Sequence, residues 1–219
     1  MKNIAVIARK GGSGKTTVAV NLAVAAHRRA YRVHLADTDP QGSSTKVLSA
    51  RKTPGPSISE IPGSELPAAL RAAEDDGVDV AVLDTPAGSE DSVAHAIALA
   101  HVSLLVVRPT FLDLAATLQT AQILRQLRRP GLILLNQAPT SRGGVEPPAV
   151  KRALEALRLM QLPVAPVALR ARALYQNSLT SGRSVEELEP GNAAAEEIGR
   201  LWAYLERFAL GAARSSAVA

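Results

Sequence analysis

The 219-residue chain contains no cysteine, few aromatic residues and no long apolar run. The absence of cysteine excludes disulfides, thiol catalysis, iron–sulfur clusters and zinc sites built on thiolates. The apolar stretch at 102–107, near the middle of the chain, is far shorter than the roughly 20 residues that a transmembrane helix needs. The start of the sequence does not resemble a secretion signal, so we expect a cytoplasmic protein.

Positive charge is concentrated in one part of the chain. The formal net charge is +5, and residues 120–183 hold ten Lys and Arg against two Glu, whereas residues 1–119 are balanced. Most of these cations are arginines, whose planar guanidinium suits phosphate groups. A solvated surface and a nucleic-acid-binding patch both fit such a segment. Tyr175 is its one aromatic residue, so stacking on single-stranded bases is disfavoured.

Short apolar runs alternate with longer alanine-rich stretches of helical spacing. The predicted strands are 4–8, 33–36, 78–83, 102–107, 132–135 and 164–167. The predicted helices are 15–30, 64–74, 91–100, 113–127, 148–160, 171–181 and 193–210. This alternation predicts an α/β fold with a doubly wound, mostly parallel sheet and helices on both faces. We expect a single domain over residues 1–210 and a disordered tail over 211–219.

The most specific motif is a glycine-rich loop between the first predicted strand and the first predicted helix. It reads Lys10-Gly11-Gly12-Ser13-Gly14-Lys15-Thr16-Thr17. Glycines allow successive backbone N–H groups to point at a polyphosphate, and the helix N-terminus adds its positive dipole end. In such loops the lysine, here Lys15, contacts the β- and γ-phosphates and the next hydroxyl, here Thr16, ligates magnesium. The loop therefore predicts binding of ATP with Mg²⁺.

The loop departs from the general P-loop pattern at one position, because Arg9 stands where that pattern has its first glycine and Lys10 follows. This variant resembles the deviant Walker A motif of the ParA and MinD family of P-loop ATPases. In that family the extra lysine acts on the nucleotide of a partner subunit. The resemblance implies that Lys10 links ATP binding to formation of a homodimer.

Two acidic segments follow predicted strands. Asp37 and Asp39 lie two residues apart, so that both carboxylates face one side of an extended chain and could approach one cation, although Asp-Pro also initiates simple turns. Asp84 ends an apolar run in the manner of a Walker B segment. By resemblance to the family's DxDPQ motif, Asp39 positions or activates the attacking water. The same resemblance implies that Asp37 and Asp84 support the magnesium shell.

Asn136 follows the fifth predicted strand, where the family places a base-contacting asparagine; a polar residue that merely ends a strand is the alternative. The missing cysteines exclude the iron–sulfur members of the family. The segment 196–210 has apolar residues at helical spacing, but it carries Glu196, Glu197 and Glu206. We expect it to pack on the core rather than bind a membrane.

The closest resemblance is to the short ParA-type partition ATPases, whose members bind duplex DNA without sequence preference and respond to a ParB-like or other cargo adaptor protein. It implies a nucleoid-associated ATPase that dimerises with ATP, hydrolyses it, and partitions or positions a plasmid, chromosome or other cargo. The DNA-contacting candidates are Arg170, Arg172 and Arg183 first, and then Arg142, Lys151 and Arg152.

Two other functions remain open at the level of sequence. One is a MinD-like positioning ATPase whose basic segment is merely solvated. The other is an ATP-dependent ligase or amidotransferase subunit, for which the sequence offers no polar constellation beyond the nucleotide site. DNA binding separates the partition-type function from both.

Overall fold

The computed structural model describes residues 1–88, 90–141 and 143–211. Within them, six strands form one parallel sheet in the order β3-β2-β4-β1-β5-β6. The strands are β1 (Lys2–Ile7), β2 (Val33–Asp37), β3 (Ser57–Glu60), β4 (Val80–Asp84), β5 (Val102–Val107) and β6 (Gly131–Leu135). The predicted α/β fold is confirmed. Because all strands are parallel, the loops that follow them meet at one edge of the sheet, called here the carboxyl edge.

Nine α-helices of the described chain cover the two faces of the sheet. They are α1 (Lys15–His27), α2 (Ser43–Ser49), α3 (Leu66–Asp75), α4 (Glu90–Leu99), α5 (Phe111–Gln126), α6 (Pro148–Arg158), α7 (Ala173–Leu179), α8 (Val185–Leu188) and α9 (Ala193–Leu205). A 3₁₀ turn precedes α3 and a π-helical segment follows α9. No helix among these residues is long and apolar enough to cross a bilayer.

The core is two apolar layers separated by the sheet, because successive strand side chains point to opposite faces. Ile4 and Val6 of β1 pack with α1 and α9 in one layer. Ala5 and Ile7 pack with α3, α4, α5 and α6 in the other. This is the arrangement expected for strands that are apolar throughout and buried on both sides.

Several parts of the secondary structure differ from the sequence-based prediction. The predicted strand at 164–167 is wrong, because Val164 forms only an isolated bridge with Ile133 and Pro166 has no N–H with which to continue a ladder. Strand β3 was not predicted, since its residues are half polar and follow a Pro- and Gly-rich segment. It forms by pairing with β2, where His34 bonds the hydroxyls of Ser57 and Ser59, both at 2.9 Å.

Helices α2 and α8 were also not predicted. The predicted helices 15–30 and 171–181 extend beyond α1 and α7, and the predicted helix 64–74 corresponds to α3 at Leu66–Asp75. Residues 212–219 lie outside the described residues, so most of the predicted disordered tail does too. The prediction of one ATPase domain ending at residue 210 stays a prediction.

Candidate nucleotide and magnesium site

The glycine-rich loop joins β1 to α1 at the carboxyl edge, as predicted. Gly12 and Gly14 adopt left-handed backbone conformations, with φ of +71° and +92°. Gly14 is the N-cap of α1, and the Val18 N–H donates to its carbonyl at 3.0 Å. A Cβ at Gly14 would lie 2.3 Å from Nδ2 of Asn136. Two separate constraints, a positive φ and a close neighbour, therefore require glycine at this position.

Two amide side chains from the end of β6 hold the loop in place. Asn136 Nδ2 donates to the Ser13 carbonyl at 2.7 Å, and Gln137 Nε2 donates to the Gly12 carbonyl at 2.8 Å. Asn136 is thus placed beside the loop, with its amide nitrogen bonded to the loop backbone; a contact of this residue with the base stays a prediction. Gln137 was missed by the sequence reasoning, because a glutamine after a strand carries no local signal for such a bond.

Lys15 is the buried cation of the site. The residue is only 7 % exposed. Burial lowers the pKa of its ammonium below the usual value, while the charges of Asp84 and Asp39 act to raise that pKa. Both carboxylates are therefore close enough to Lys15 to interact with its charge. The structure brings together three residues that the sequence separates by up to 69 positions.

Asp84 lies at the end of β4, fully buried and in register with Asp37 at the end of β2. The pKa of the Asp84 carboxyl is raised to about 7, mainly by burial and also by the charge of Asp37, although Thr16, Lys15 and Ser44 act in the opposite direction. The hydroxyls of Thr16 and Ser44 are near, yet neither oxygen of Asp84 has a hydrogen bond of normal geometry within the described chain. A cation or its bound water would supply the bonds that this buried carboxyl lacks there.

Asp37 and Asp39 organise the segment that leads into α2. Asp37 accepts hydrogen bonds from the backbone N–H of Asp39 at 3.2 Å and of Thr45 at 2.9 Å. Asp39 is half-buried and accepts one from the Gln41 N–H at 3.0 Å. The Thr45 bond helps to explain why α2 begins here, because the Asp37 carboxylate at the end of β2 accepts a hydrogen bond from a backbone N–H in the first turn of the helix.

The buried polar atoms of this site fit a hydrated magnesium ion and a polyphosphate. In the described part of the chain, Ser13 Oγ, Ser44 Oγ, Thr45 Oγ1 and both oxygens of Asp84 are buried without a hydrogen-bonding partner. Each unsatisfied buried polar group costs about 1–3 kcal/mol. Carboxylate and hydroxyl oxygens are the ligands that magnesium prefers, and it keeps several waters that could bond the remaining groups. The donor set thus fits the predicted cofactors.

We expect Asp84→Asn to change how the stability of the nucleotide-free protein depends on pH. Since the pKa of Asp84 is about 7 in the folded protein and 3.8 ordinarily, the folded state keeps a proton between these values that the unfolded state has lost. The free energy of unfolding therefore falls as the pH rises through this window, and the loss is complete above it. The neutral amide of the variant does not titrate, so the variant does not lose this stability. Urea unfolding at about pH 8 should show a variant more stable by on the order of 2–4 kcal/mol.

The same comparison at about pH 3 should show little difference between the two proteins, because Asp84 is then largely protonated in both the folded and the unfolded state of the wild type. Parallel pH profiles for wild type and variant would contradict the raised pKa.

Lys10 and Arg9 differ in their surroundings. Lys10 is exposed and makes no hydrogen bond or ion pair with any other described residue. Arg9 Nη1 lies 3.3 Å from the Glu90 carboxylate in the first turn of α4. Lys10 is therefore available to a second molecule, whereas Arg9 contacts its own chain.

A cleft of about 300 Å³ lies next to the loop. Its lining includes Gly14, Thr17, Asn136, Gln137 and Gln176. Because these residues surround the start of α1 and offer three amides, the cleft is suited to the base and ribose of a bound nucleotide. A larger cavity, of about 710 Å³, lies at the start of strands β2 and β3, at the opposite end of the strands from the glycine-rich loop.

Three of the candidate DNA-contacting arginines are engaged within the protein. Arg170 forms a two-pronged pair with Glu146 at 2.5 and 2.8 Å. Arg172 donates to buried Glu197 at 2.8 and 3.0 Å, and Arg183 donates to the Glu187 carbonyl. Lys151 and Arg152, in contrast, are exposed on α6 and form no hydrogen bond or ion pair through their side chains with a described residue, although the charge of Lys151 acts on Glu146. Arg142 lies outside the described residues.

Comparison with known proteins agrees with this geometry. Residues 4–193 match the family model described as the CobQ/CobB/MinD/ParA nucleotide binding domain. The chain is 30% identical over 214 residues to the "Maintenance of carboxysome distribution protein A" of Halothiobacillus neapolitanus, covering 90% of this chain and 93% of that protein. It is 31% identical over 167 residues to the "Chromosome-partitioning ATPase Soj" of Thermus thermophilus, covering 62% and 67% of the two chains.

Among solved structures, the fold is similar to that of an Asp-to-Ala variant of McdA from Cyanothece in complex with ATP. The TM-score is 0.73 at 17% identity, and the match covers 99% of this chain and 98% of that one. Other structures of the same fold hold MgADP, or an ATP analogue with magnesium. The prediction of ATP and Mg²⁺ as cofactors agrees with the contents of these neighbours.

Proposed function

Because this chain belongs to the CobQ/CobB/MinD/ParA nucleotide-binding family, we propose that it is a dimerising ATPase that partitions or positions a cellular cargo along nonspecifically bound duplex DNA. The observation that carries the ATPase assignment is the convergence of Lys15, Asp39 and Asp84 on one glycine-rich loop. The relatives named for carboxysome distribution and chromosome partitioning support a positioning role. The cargo would be a plasmid, a chromosome or another cellular body.

Hydrolysis would rest mainly on positioning and charge neutralisation, as phosphoryl transfer generally does. Lys15 and the backbone N–H groups of the loop would hold the phosphates. The residues Thr16, Asp84 and Asp37 would hold a magnesium ion, whose positive charge would help to neutralise the phosphates. Asp39, at the edge of the site and near Lys15, would orient the attacking water. Chemistry of this type needs no covalent intermediate with the protein.

Dimerisation would be coupled to ATP through Lys10. Its side chain is exposed beside the loop and has no partner in the described chain, so it is free to contact the nucleotide of a second copy. Two copies that meet through their loops would each complete the site of the other, and hydrolysis would remove the phosphate charge that Lys10 contacts. A ParB-like or other cargo adaptor would stimulate that step.

DNA binding is supported by the charge distribution, with ten cations and two acids between residues 120 and 183. Since Arg170 and Arg172 are bound to glutamates, the exposed Lys151 and Arg152 are better placed for phosphate contacts than the arginines ranked first from sequence. Binding through backbone phosphates would be independent of base sequence and would weaken steeply with salt. It would place the protein on the nucleoid.

The decisive test is binding of the purified protein to nonspecific duplex DNA at several salt concentrations, with ATP, with ADP and without nucleotide. We expect affinity with ATP alone, a steep decrease with salt, and no binding by Lys15→Ala, which cannot hold the phosphates. Lys151→Glu/Arg152→Glu should weaken binding while it leaves ATP binding intact. Indifference to DNA in every state would favour the MinD-like or the ligase alternative.

A further inference from the structure

A second group of cations gathers at the edge of the sheet opposite the phosphate loop, where the strands begin. Lys2 starts β1, His101 immediately precedes β5, and Arg129 lies just before β6. These three strands are neighbours in the sheet, so their first residues lie side by side. The backbone agrees: the His101 N–H donates to the Asn3 carbonyl at 2.8 Å, and the Ser103 N–H to the Pro130 carbonyl at 3.0 Å.

The ends of α5 and α6 bring further arginines to the same place. Arg125 Nη1 donates to Gln161 Oε1 at 3.0 Å, which joins the last turn of α5 to the residues that follow α6. Arg128 is just beyond the end of α5, and Arg158 is the last residue of α6. We call this set the amino-edge basic surface: Lys2, Arg125, Arg128, Arg129 and Arg158, all of which are exposed.

The charge of this surface is not neutralised within the described chain. None of its five cations forms an ion pair with a described residue. Of the carboxylates just before β4, which neighbours β1, Glu74 pairs with the amino-terminal ammonium at 2.9 Å and Asp79 accepts a hydrogen bond from the Arg32 N–H at 2.9 Å, whereas Asp75 and Asp76 are exposed. Glu155 is exposed on α6 and is the one acid between Gly131 and Gln161 apart from Glu146, which Arg170 holds.

His101 lies within electrostatic range of two of these cations. Burial lowers the pKa of this imidazole, and Lys2, the amino-terminal ammonium and Arg129 lower it further, while Glu74 acts to raise it. Positive charges from β1 and from the segment before β6 thus act on the same atom group. Lys2 and Arg129 are therefore both near His101, although they come from distant parts of the chain.

We propose that the amino-edge basic surface binds the backbone phosphates of duplex DNA. The proposal rests on the DNA binding proposed above and names a surface for it that the sequence reasoning did not. Four of the five cations are arginines, whose forked donors suit phosphate oxygens, and the surface has no aromatic residue on which bases could stack. A duplex presents phosphates at regular intervals, so several cations can engage at once.

The position of the surface makes it separable from the nucleotide site by experiment. The phosphate loop begins at the end of β1, and Lys2 is at its start, so the sheet's full length lies between them. Substitutions at the amino edge should therefore leave ATP binding unchanged. A loss of DNA affinity without a loss of ATP affinity is then a property of this surface.

Arg128 allows removal of a cation without damage to the fold. Its φ is +49°, a left-handed conformation at the end of α5 that glycine adopts more easily than arginine. Arg128→Gly combined with Arg129→Gln removes two cations, and the glycine relieves backbone strain. Ala30→Gly is the matched control, because Ala30 follows α1 with φ of +62°, so the same relief occurs there with no change of charge.

The experiment measures binding of wild type, Arg128→Gly/Arg129→Gln and Ala30→Gly to a duplex of about 30 base pairs, with ATP, over a range of salt concentrations. For the double variant we expect roughly tenfold weaker binding, and a log–log salt slope reduced by about 2, with unchanged affinity for ATP. Ala30→Gly should behave as wild type. A double variant with wild-type affinity and slope would overturn the proposal.

A third variant tests the class of partner. Leu127 and Leu159 are 42% and 82% exposed next to these arginines, and apolar side chains are dispensable for phosphate contacts. Leu127→Ser/Leu159→Ser should bind DNA normally. A larger loss of DNA affinity in the leucine variant than in the arginine variant would show that the surface does not act through phosphate contacts of its arginines. Charge-dependent binding to phosphatidylserine vesicles with no effect on DNA would assign the surface to a membrane. Either result overturns the proposal.

The failure of this inference differs from the failure of the proposed function. If wild type ignores DNA in every nucleotide state, DNA binding itself is wrong and this surface has no such role. If wild type binds DNA with ATP and the arginine variant binds equally well, the DNA contacts lie elsewhere, for example at Lys151 and Arg152, and only the surface is misassigned.

Discussion

Gly14→Ala is expected to weaken nucleotide binding severely. The backbone at Gly14 has a φ of +92°, which an alanine adopts only with strain, and the added methyl would lie 2.3 Å from Asn136 Nδ2. Asn136 cannot move away without losing its 2.7 Å bond to the Ser13 carbonyl, which helps to fix the loop. Since the loop binds phosphates through backbone N–H groups, a displaced backbone loses several contacts together. Titration with a fluorescent ADP analogue should show at least about a hundredfold weaker binding.

Gly11→Ala is the matched control within the same loop. Gly11 has no left-handed φ, and a Cβ there would have no neighbour within 4 Å. The affinity of the Gly11→Ala variant for ADP should remain within a few fold of that of the wild type. Normal ADP binding by Gly14→Ala, or equal losses in both variants, would show that the steric and backbone constraints at position 14 do not govern nucleotide affinity.

Asp39→Ala is expected to separate ATP binding from hydrolysis. Asp39 is half-buried near Lys15, and its side chain accepts a hydrogen bond from the Gln41 N–H at 3.0 Å, a local contact within one turn on which the fold does not depend. A carboxylate that orients or deprotonates the attacking water typically contributes about 10²–10⁴-fold. Phosphate release should therefore fall by about a hundredfold or more, while ATP binding and ATP-dependent dimerisation persist.

The measurement pairs a phosphate-release assay with sedimentation of the ATP-bound protein. Asp75→Ala, an exposed aspartate at the end of α3 and remote from the site, serves as the control and should hydrolyse ATP at the wild-type rate. Hydrolysis at a normal rate in Asp39→Ala, or failure of that variant to dimerise with ATP, would remove Asp39 from its proposed role.

The sequence alone was sufficient for the fold class and for the location of the loop. Apolar runs such as the one at 102–107 are too short for helices and too apolar for half-exposed strands, which leaves a sheet buried on both faces. The loop motif is local, because its glycines and Lys15 act through the backbone of adjacent residues. Parallel strands then place Asp37 and Asp84 at the same edge as the loop, so their meeting followed from the predicted topology.

Elements that depend on distant partners could not be read from their own residues. Strand β3 is held by β2 and by His34, and the first turn of α2 is satisfied by Asp37, which reaches it from another element. Neither segment has an apolar period of its own. Conversely, the run at 164–167 is apolar but does not extend the sheet beyond one bridge.

The arginines show most clearly the difference between what the sequence and what the tertiary structure determines. Sequence could count the cations between residues 120 and 183, but it could not tell Arg170, which Glu146 binds, from Arg128 or Arg158, which have no partner in the described chain. Whether a charge is neutralised depends on which carboxylate the fold brings within about 3 Å, and such pairs join residues far apart along the chain. The sequence therefore determined the chemistry of the loop, and the tertiary structure decided which charges remain free to bind a partner.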